Sequence, residues 1–260
     1  MSLSLIQKLN EMLLSEQPAY RAQAAQVEET QEAQRELLRA LMNVRPPRPL
    51  SEAYLRLEGE LLSKEREQRG VVDVMTLPSV FSDARIILWQ GDITRLNADA
   101  IVNAANSALL GCFIPCHRCI DNAIHSAAGL QLRVECAALM ERQGHPEATG
   151  LAKITAGYNL PARHVLHTVG PIVSGTLTEE HRELLASCYR SCLHLAAEHG
   201  LKSIAFCCIS TGEFHFPNAA AAEIAVREVR SFLAHDSTIE RVIFNVFKDE
   251  DRVLYEGLLQ

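Results

Sequence analysis

The stretch that decides the fold is Asp-Ala-Ile-Val-Asn-Ala-Ala-Asn, residues 99–106. Its apolar run at 100–102 is short and bounded by polar residues, which is typical of a buried strand. Asparagine tolerates left-handed turns and carries both a donor and an acceptor. Asn103 and Asn106 therefore suit a loop at the end of this strand that meets a polyhydroxylated ligand. An ordinary turn would use the same residues, so both interpretations stay open at this point.

Similar apolar runs recur along the chain and alternate with helix-like segments. This alternation predicts an α/β sandwich with a mixed or mainly parallel sheet. In such sheets ligands bind beyond the carboxyl ends of the strands, so the loops after Leu88, Val102, Thr168 and Ile209 are candidates for the site. The predicted strands are 86–89, 100–102, 152–155, 165–168, 204–209 and 242–247, and the predicted helices are 121–143, 178–199, 218–234 and 249–258.

The first 70 residues have a different pattern and are predicted to be helical. Apolar residues recur at helical spacing over 5–13, and a Gln-, Glu- and Ala-rich stretch follows over 23–42. The prolines at 46, 47 and 49 end that stretch, because proline lacks an N–H. A further helical run over 51–68 precedes Gly70. We therefore expect a helical extension over 1–70, either packed on the main domain or binding a partner, and an α/β domain over 71–260.

Composition excludes several classes of protein. The 260 residues are 48% hydrophobic and carry a formal net charge of −7. Nucleic-acid backbones are bound by basic surfaces, so nonspecific nucleic-acid binding is not expected, whereas backbone N–H groups still allow a small anionic ligand. Charged residues near the start argue against a signal peptide, and no apolar run reaches the length of about 18 residues that a membrane span needs. We expect a cytoplasmic protein.

A cysteine-rich segment follows the Asn motif: Gly-Cys-Phe-Ile-Pro-Cys-His-Arg-Cys, residues 111–119. In a cytosolic chain, clustered cysteines are better explained as metal ligands than as disulfides. Cys112, His117 and Cys119 offer two thiolates and an imidazole, a set that favours Zn²⁺. Three protein ligands leave one position open for substrate or water, whereas Cys116 as a fourth ligand would make the site structural. We expect the open site, because adjacent residues such as Cys116 and His117 normally point in different directions.

The same segment contains Pro-Cys-x-x-Cys at 115–119, a string that nucleobase deaminases use. Those enzymes also need an upstream His-x-Glu, whose glutamate moves protons. No histidine precedes His117, and no Cys-x-Glu lies upstream of the cluster. The deaminase hypothesis is therefore rejected.

A second candidate binding segment, residues 207–218, joins a predicted strand to a predicted helix. Ser210, Thr211 and Gly212 would allow successive backbone N–H groups to face a diphosphate, helped by the positive end of the following helix. The established phosphate-loop fingerprints and the nucleophile elbow are absent from the sequence. Taken alone, this segment is equally compatible with a simple connection.

Together these segments closely resemble the macrodomain family of ADP-ribose-binding proteins. The resemblance covers about 73–260 and implies a three-layer α/β/α sandwich with a mixed central sheet. Hydrolytic members usually carry a glycine-rich loop between the Asn motif and the following aspartate. Here residues 112–119 replace that loop, which resembles the zinc-containing subgroup with its N-terminal helical extension. The matching motifs are 90–94, 99–106, 121–125, 149–152, 167–171 and 209–212.

The resemblance also implies roles for individual residues. Asp92 would receive the adenine amino group beside the Ile93 backbone, Asn103 would bind the distal ribose, and Asp121 would lie at the scissile end. His215 stands where many relatives have glycine, a difference that would narrow the diphosphate loop. The other implied substrate contacts are Asn106, Ser210, Thr211, Gly212, Glu213, Phe214 and Phe247.

Structural explanations remain open for four of the polar residues. Asp92 would cap a turn, and Asp121 would be the N-cap of the helix that follows it. His125 and His167 lie on a helix and a strand that must pack, where a hydrogen-bonded core histidine is expected.

The leading hypothesis is a zinc-dependent hydrolase that removes mono-ADP-ribose from acidic side chains of modified proteins. Zn²⁺ would orient or polarise a ribose hydroxyl or a water, and Asp121 would organise or deprotonate the attacking group. The alternatives are a non-catalytic ADP-ribose reader and an O-acetyl-ADP-ribose deacetylase. In the zinc subgroup, the resemblance suggests a lipoyl-carrier protein as substrate and a linked sirtuin as partner.

Overall fold

The structure is a computed structural model that describes residues 2–260, and its centre is one mixed sheet. The strands are β1 (Ile86–Gln90), β2 (Ala100–Ala105), β3 (Ala152–Ala156), β4 (His164–Val169), β5 (Ser203–Phe206) and β6 (Arg241–Val246). Their order is β1-β6-β5-β2-β4-β3. All neighbouring pairs are parallel except β3 and β4. The apolar runs form the central strands because helices cover both faces. The α/β prediction is confirmed.

Helices make up most of the remaining structure. Those of the first 70 residues are α1 (Leu3–Glu16), α2 (Arg21–Ala24), α3 (Gln31–Val44) and α4 (Glu52–Arg69). Those that follow β2 are α5 (Ile120–Ala128), α6 (Leu130–Gln143), α7 (Glu179–Glu198), α8 (Asn218–His235) and α9 (Asp249–Leu258). Within 2–260, no helix is both long enough and apolar enough to cross a membrane.

The helices α1, α3 and α4 form their own apolar cluster, which reaches the rest of the molecule at Leu130. Their ends follow local rules: the Thr30 hydroxyl caps α3 and the Ser51 hydroxyl caps α4. Gly70, with a φ of 75°, ends α4. Because Leu130 is the first residue of α6, the helical extension packs directly against the α/β part of the chain.

Four predicted boundaries were wrong. The helix over 121–143 is two helices, since Gly129 breaks it with a φ of 92°. The stretch 23–42 becomes a regular helix only from Gln31, where Thr30 supplies a cap that the composition does not reveal. Asn103 lies inside β2 and not in a loop after it, because pairing with β4 continues through Ala105. The predicted strand 204–209 also ends early, at Phe206.

Candidate functional site

The site is centred on Asn103, a fully buried asparagine in β2. Its Nδ2 donates to Asp121 Oδ1 at 2.8 Å and lies 3.1 Å from His167 Nδ1. These two contacts use both protons of the amide nitrogen, so the opposite oxygen has a fixed direction. Among the described residues, nothing donates to that buried Oδ1. A buried acceptor without a donor is unusual in a folded protein, and it marks the place where a ligand hydroxyl would fit.

His167 holds Asn103 in this orientation from the neighbouring strand β4, where the two residues are register partners. Burial lowers the pKa of His167 to about 3, so its ring is neutral. Because Nδ1 accepts from Asn103, Nε2 carries the proton and donates to the Thr155 hydroxyl at 2.9 Å. Thr155, on β3, thereby extends the chain of hydrogen bonds across three strands.

Asp121 reaches Asn103 from the first turn of α5. This helix begins there because the Cys119 Sγ caps it, 3.4 Å from the Asn122 N–H. Asn106 Nδ2 lies 3.4 Å from Asp121 Oδ2, so both carboxylate oxygens face asparagine donors. Burial raises the pKa of Asp121 to about 6, while the Asn103 hydrogen bond and the Arg133 charge oppose that rise.

His125 lies one helical turn after Asp121 and packs against the same carboxylate. Its Nε2 is 3.5 Å from Asp121 Oδ1, yet burial lowers the pKa of His125 well below its usual value. The contact is therefore between a neutral ring and a carboxylate, not an ion pair. Within residues 2–260, neither ring nitrogen has a hydrogen-bond partner.

The three predicted metal ligands converge on one point. The ligand atoms of Cys112, His117 and Cys119 all lie within 4.8 Å of one another. Cys112 Sγ and His117 Nδ1 are 3.6 Å apart, close to the separation of about 3.5 Å between S and N ligands on tetrahedral Zn²⁺. The donor set and its spacing therefore fit zinc.

Cys116 does not belong to this cluster. Its backbone has a φ of 53°, and its Sγ lies 3.5 Å from the Glu36 carbonyl oxygen of α3. The thiol is therefore directed toward the helical extension. This leaves a three-ligand set, which is the arrangement that keeps one metal position open.

A second His/Cys cluster, formed by His125, Cys136 and His167, is completely buried behind Asn103. Cys136 Sγ lies 3.7 Å from His167 Nε2, the nitrogen that already donates to Thr155. Both nitrogens of His167 are thus committed to protein partners. We interpret this cluster as core packing that supports Asn103.

The predicted diphosphate loop connects β5 to α8 and is tightly folded. Ser210 and His215 both have left-handed backbones, with φ values of 65° and 55°. This explains why glycine would suit position 215. The Phe216 N–H closes the loop on the Ser210 carbonyl at 3.0 Å. Gly170, at the end of β4, is required beside it, since a Cβ there would lie 2.0 Å from Ser210 Oγ.

The diphosphate loop meets the metal loop, residues 111–119, at Glu213. Its carboxylate lies 3.7 Å from His117 Nε2, and two thirds of the side chain (67%) is exposed. Since His117 Nδ1 faces Cys112, the opposite nitrogen is the one that faces this carboxylate. Histidines that bind metals commonly donate their second N–H to such a group. The backbone oxygen of Phe214, on the same loop, accepts from the Val173 N–H at 2.9 Å.

Asp92 and Phe247 lie together at the other end of the site, after the adjacent strands β1 and β6. Asp92 Oδ1 caps the short 3₁₀ helix at 93–95 through the Thr94 N–H. Its Oδ2 lies 3.4 Å from Arg69 Nη1 of the extension. Phe247 is 76% exposed and thus available for stacking, while Ile93 is buried.

The structure brings Asn103, Asn106 and Asp121 together and sets His117 beside Glu213, while Asp92 and Phe247 follow the adjacent strands β1 and β6. It also assigns roles to residues that we did not single out. Two residues of α3, Arg39 and Asn43, contact the metal loop. Arg133, on α6, contacts both the end of α3 and the metal loop. Thr155 completes the hydrogen-bond chain behind Asn103. Sequence carries little signal for these residues, since each acts across a large separation along the chain.

Comparison with known proteins identifies the family of the chain. The Macro domain model matches residues 102–225. A Treponema medium protein named "Protein-ADP-ribose hydrolase" is 51% identical over 253 residues, which cover 96% of each chain. A protein of the same name from Staphylococcus aureus strain MSSA476 is 51% identical over 222 residues, covering 85% of this chain and 83% of its own.

A solved structure supports the assignment to the same family. The Trypanosoma brucei macrodomain in complex with ADP-ribose superposes with a TM-score of 0.68 and 34% identity. The match covers 85% of this chain and 95% of that one. With 51% identity to one relative over 96% of both chains, a match to the Macro domain model and this sheet, the chain belongs to the Macro domain family.

Proposed function

We propose that this protein is a zinc-dependent hydrolase that releases mono-ADP-ribose from acidic side chains of modified proteins. One observation carries the proposal: the hydrogen-bonded pair Asn103–Asp121 lies next to a three-ligand, zinc-compatible cluster. Relatives that share half of this sequence are named as protein-ADP-ribose hydrolases. A macrodomain that only bound ADP-ribose would need neither the buried carboxylate nor the metal ligands.

Each part of ADP-ribose would meet a different group of these residues. Asp92 and Phe247 lie together where an adenine would be bound, and the loop 210–214 would offer backbone N–H groups to the diphosphate. Asn103 Oδ1 is a buried acceptor that lacks a donor among the described residues. A distal ribose hydroxyl is a donor of the right kind, and binding it would satisfy this oxygen.

Cys112, His117 and Cys119 would hold the metal, which when bound supplies Lewis-acid polarisation of an oxygen at the scissile end. Asp121 accepts from Asn103 on one oxygen and faces Asn106 with the other, so its orientation is fixed. A carboxylate held in this way can position the attacking hydroxyl or water and accept its proton.

The preference for acidic side chains follows from the chemistry of the leaving group. A carboxylate departs from an ADP-ribosyl ester without first receiving a proton. Both nearby histidines, His125 and His167, are buried, and His167 already uses both nitrogens. Among the described residues next to Asn103, the site thus offers a proton acceptor, Asp121, and no charged histidine to act as a proton donor, which suits an ester better than a glycosidic bond to nitrogen. A lipoyl-carrier target and a linked sirtuin are implied only by the resemblance to the zinc subgroup, and a cytoplasmic location stays a prediction from sequence.

The test combines metal analysis with release of ADP-ribose from a protein modified on acidic residues. We expect Asp121→Ala to keep zinc and ADP-ribose affinity but to lose turnover at least about 100-fold. Cys119→Ala should lose both zinc and turnover. Cys116→Ala is the matched control, because its thiol faces Glu36, and it should retain both.

Other outcomes would support the alternatives. Full turnover by the zinc-free protein would overturn the zinc dependence. Calorimetric binding of ADP-ribose without release from any modified protein would indicate a reader. Faster hydrolysis of free O-acetyl-ADP-ribose than of the modified protein would indicate a deacetylase.

A further inference from the structure

The metal loop, which we define as residues 111–119, is held along one side by helix α3 of the extension. Arg39 is the first contact. Its guanidinium donates to the backbone oxygen of His117 at 3.2 Å and to Asn122 Oδ1 at 2.8 Å. Asn122 in turn donates from Nδ2 to the Ile114 carbonyl at 3.0 Å. One side chain of α3 thus fixes a predicted metal ligand and, through Asn122, a second point of the loop.

Asn43, one helical turn later, is the second contact. It is 2% exposed, and its Oδ1 accepts from the Cys116 N–H at 2.9 Å. Its Nδ2 lies 3.1 Å from Ser126 Oγ on α5, the helix that Cys119 caps. Cys116 has a left-handed backbone, a conformation that costs free energy for a residue with a side chain. The Asn43 hydrogen bond stabilises that conformation between two predicted ligands.

Arg133 connects the same helix to the other end of the loop. It is 2% exposed and donates to the carbonyls of Met42 and Asn43 at the end of α3. It also donates to the Leu110 carbonyl at 2.7 Å and contacts the Cys112 carbonyl at 3.5 Å. The loop is therefore anchored near each predicted ligand by groups that belong to α3 or are bound to it.

Anchoring of this kind changes metal affinity. An irregular loop free in solution must be ordered when it closes around an ion, and the entropy lost reduces the binding free energy. Backbone contacts next to the ligands remove part of that cost beforehand. Outer contacts of metal ligands typically change metal affinity 10- to 100-fold.

We propose that helix α3 of the extension positions the metal loop, with Arg39 and Asn43 preorganising Cys112, His117 and Cys119 for zinc. This inference rests on the proposed function, since it takes the three-ligand cluster as a zinc site. It gives the extension a role in the chemistry of the site, although none of its residues is a ligand. Arg39 and Asn43 are positioning residues.

The experiment measures zinc affinity of the full chain by competition with a chromophoric chelator. We expect Arg39→Met to weaken zinc binding about 10-fold. Arg35→Met is the matched control: it lies one turn earlier on α3, and its side chain pairs with Glu65, inside the extension. Its zinc affinity should equal that of the wild type. Unfolding of the zinc-free proteins, followed by circular dichroism, should give similar stabilities for the two variants.

The outcomes separate this inference from the proposed function. A wild type that binds no zinc overturns the proposed function. Wild-type binding with unchanged affinity in Arg39→Met, or with an equal loss in Arg35→Met, overturns only the role of α3. If Arg39→Met does not fold, Arg39→Lys keeps the charge but not the two-pronged contact, and it should show an intermediate loss.

Discussion

Asn103 has side-chain partners on two different elements, and its function depends on which way its amide faces. Its nitrogen is held by Asp121 from α5 and by His167 from β4. His167 is itself held through its opposite ring nitrogen by Thr155 on β3. A flipped amide would present a donor to the ribose and an oxygen to Asp121, which would repel the carboxylate. Asp121 and His167 therefore together select the orientation that the proposed reaction needs.

This selection predicts the effect of replacing His167. In His167→Leu the amide nitrogen of Asn103 loses its buried acceptor, which costs about 1–3 kcal/mol. We expect turnover to fall about 10-fold, with a smaller effect on KM. His167→Asn should recover part of the loss, because its side-chain oxygen lies near the position of Nδ1. Steady-state kinetics on the modified protein measure both effects.

Cys136→Ala is the control for packing, since Cys136 touches the opposite nitrogen of the same ring. It should lower stability while leaving turnover within about twofold of the wild type. Equal turnover in His167→Leu and the wild type would contradict a positioning role.

Among the helices, α4 places the Glu58 carboxyl group at the N-terminus of α6. Glu58 is 2% exposed, accepts from the Leu130 N–H at 3.1 Å and lies 3.2 Å from the Tyr54 hydroxyl. Gly129 has to be a glycine here, because a Cβ would lie 2.7 Å from Glu58 Oε2. Burial raises the pKa of Glu58 from 4.5 to about 7, despite the favourable N-terminus of α6.

This pKa predicts how stability depends on pH. A carboxyl group whose pKa is higher in the folded state favours folding when it is protonated. Its contribution is complete below pH 4.5 and is lost as the pH rises through about 7. Relative to Glu58→Gln, the wild type should therefore lose a few kcal/mol of unfolding free energy across this window. Urea unfolding at a series of pH values measures the difference.

Glu60→Gln provides the control on the same helix. Its side chain is exposed and pairs with Lys64, so it should not reproduce this change with pH. A constant difference between wild type and Glu58→Gln from pH 5 to pH 8 would contradict the assignment.

At the scale of the whole molecule, Arg133 joins the extension to the α/β part. It donates to three carbonyls near the end of α3, those of Met42, Asn43 and Arg45. Its guanidinium also lies 4.2 Å from the centroid of the Phe113 ring on the metal loop. Burial lowers the pKa of Arg133 to about 10, a cost that these acceptors offset. Since each carbonyl is buried, the two parts should unfold together.

We therefore expect one cooperative unfolding transition, and Arg133→Met should lower its free energy by about 3 kcal/mol or more. Hydrogen exchange should accelerate in both α3 and the central strands. Arg142→Met, on an exposed position of the same helix, should leave stability and exchange nearly unchanged. Two separate transitions, with the extension unfolding first, would contradict this coupling.

The spacing of the apolar residues was sufficient to predict the six strands. It was also sufficient to predict the helices α1, α7, α8 and α9. Boundaries failed where a single residue decides them, as at Gly129, whose left-handed φ splits one predicted helix into two. The position of Asn103 was misjudged because strand pairing, a long-range property, continues past the apolar run.

The α/β class, the alternation of elements and the short-range chemistry of residues 112–119 could be predicted from residue order, because periodicity and ligand spacing are local. Packing was needed to show that Cys116 turns toward α3, that His167 contacts Asn103, and that the extension anchors the metal loop. Each of these contacts joins residues that are far apart in the chain or on different strands. Their geometry exists only once the sheet has formed and the helices have packed against it.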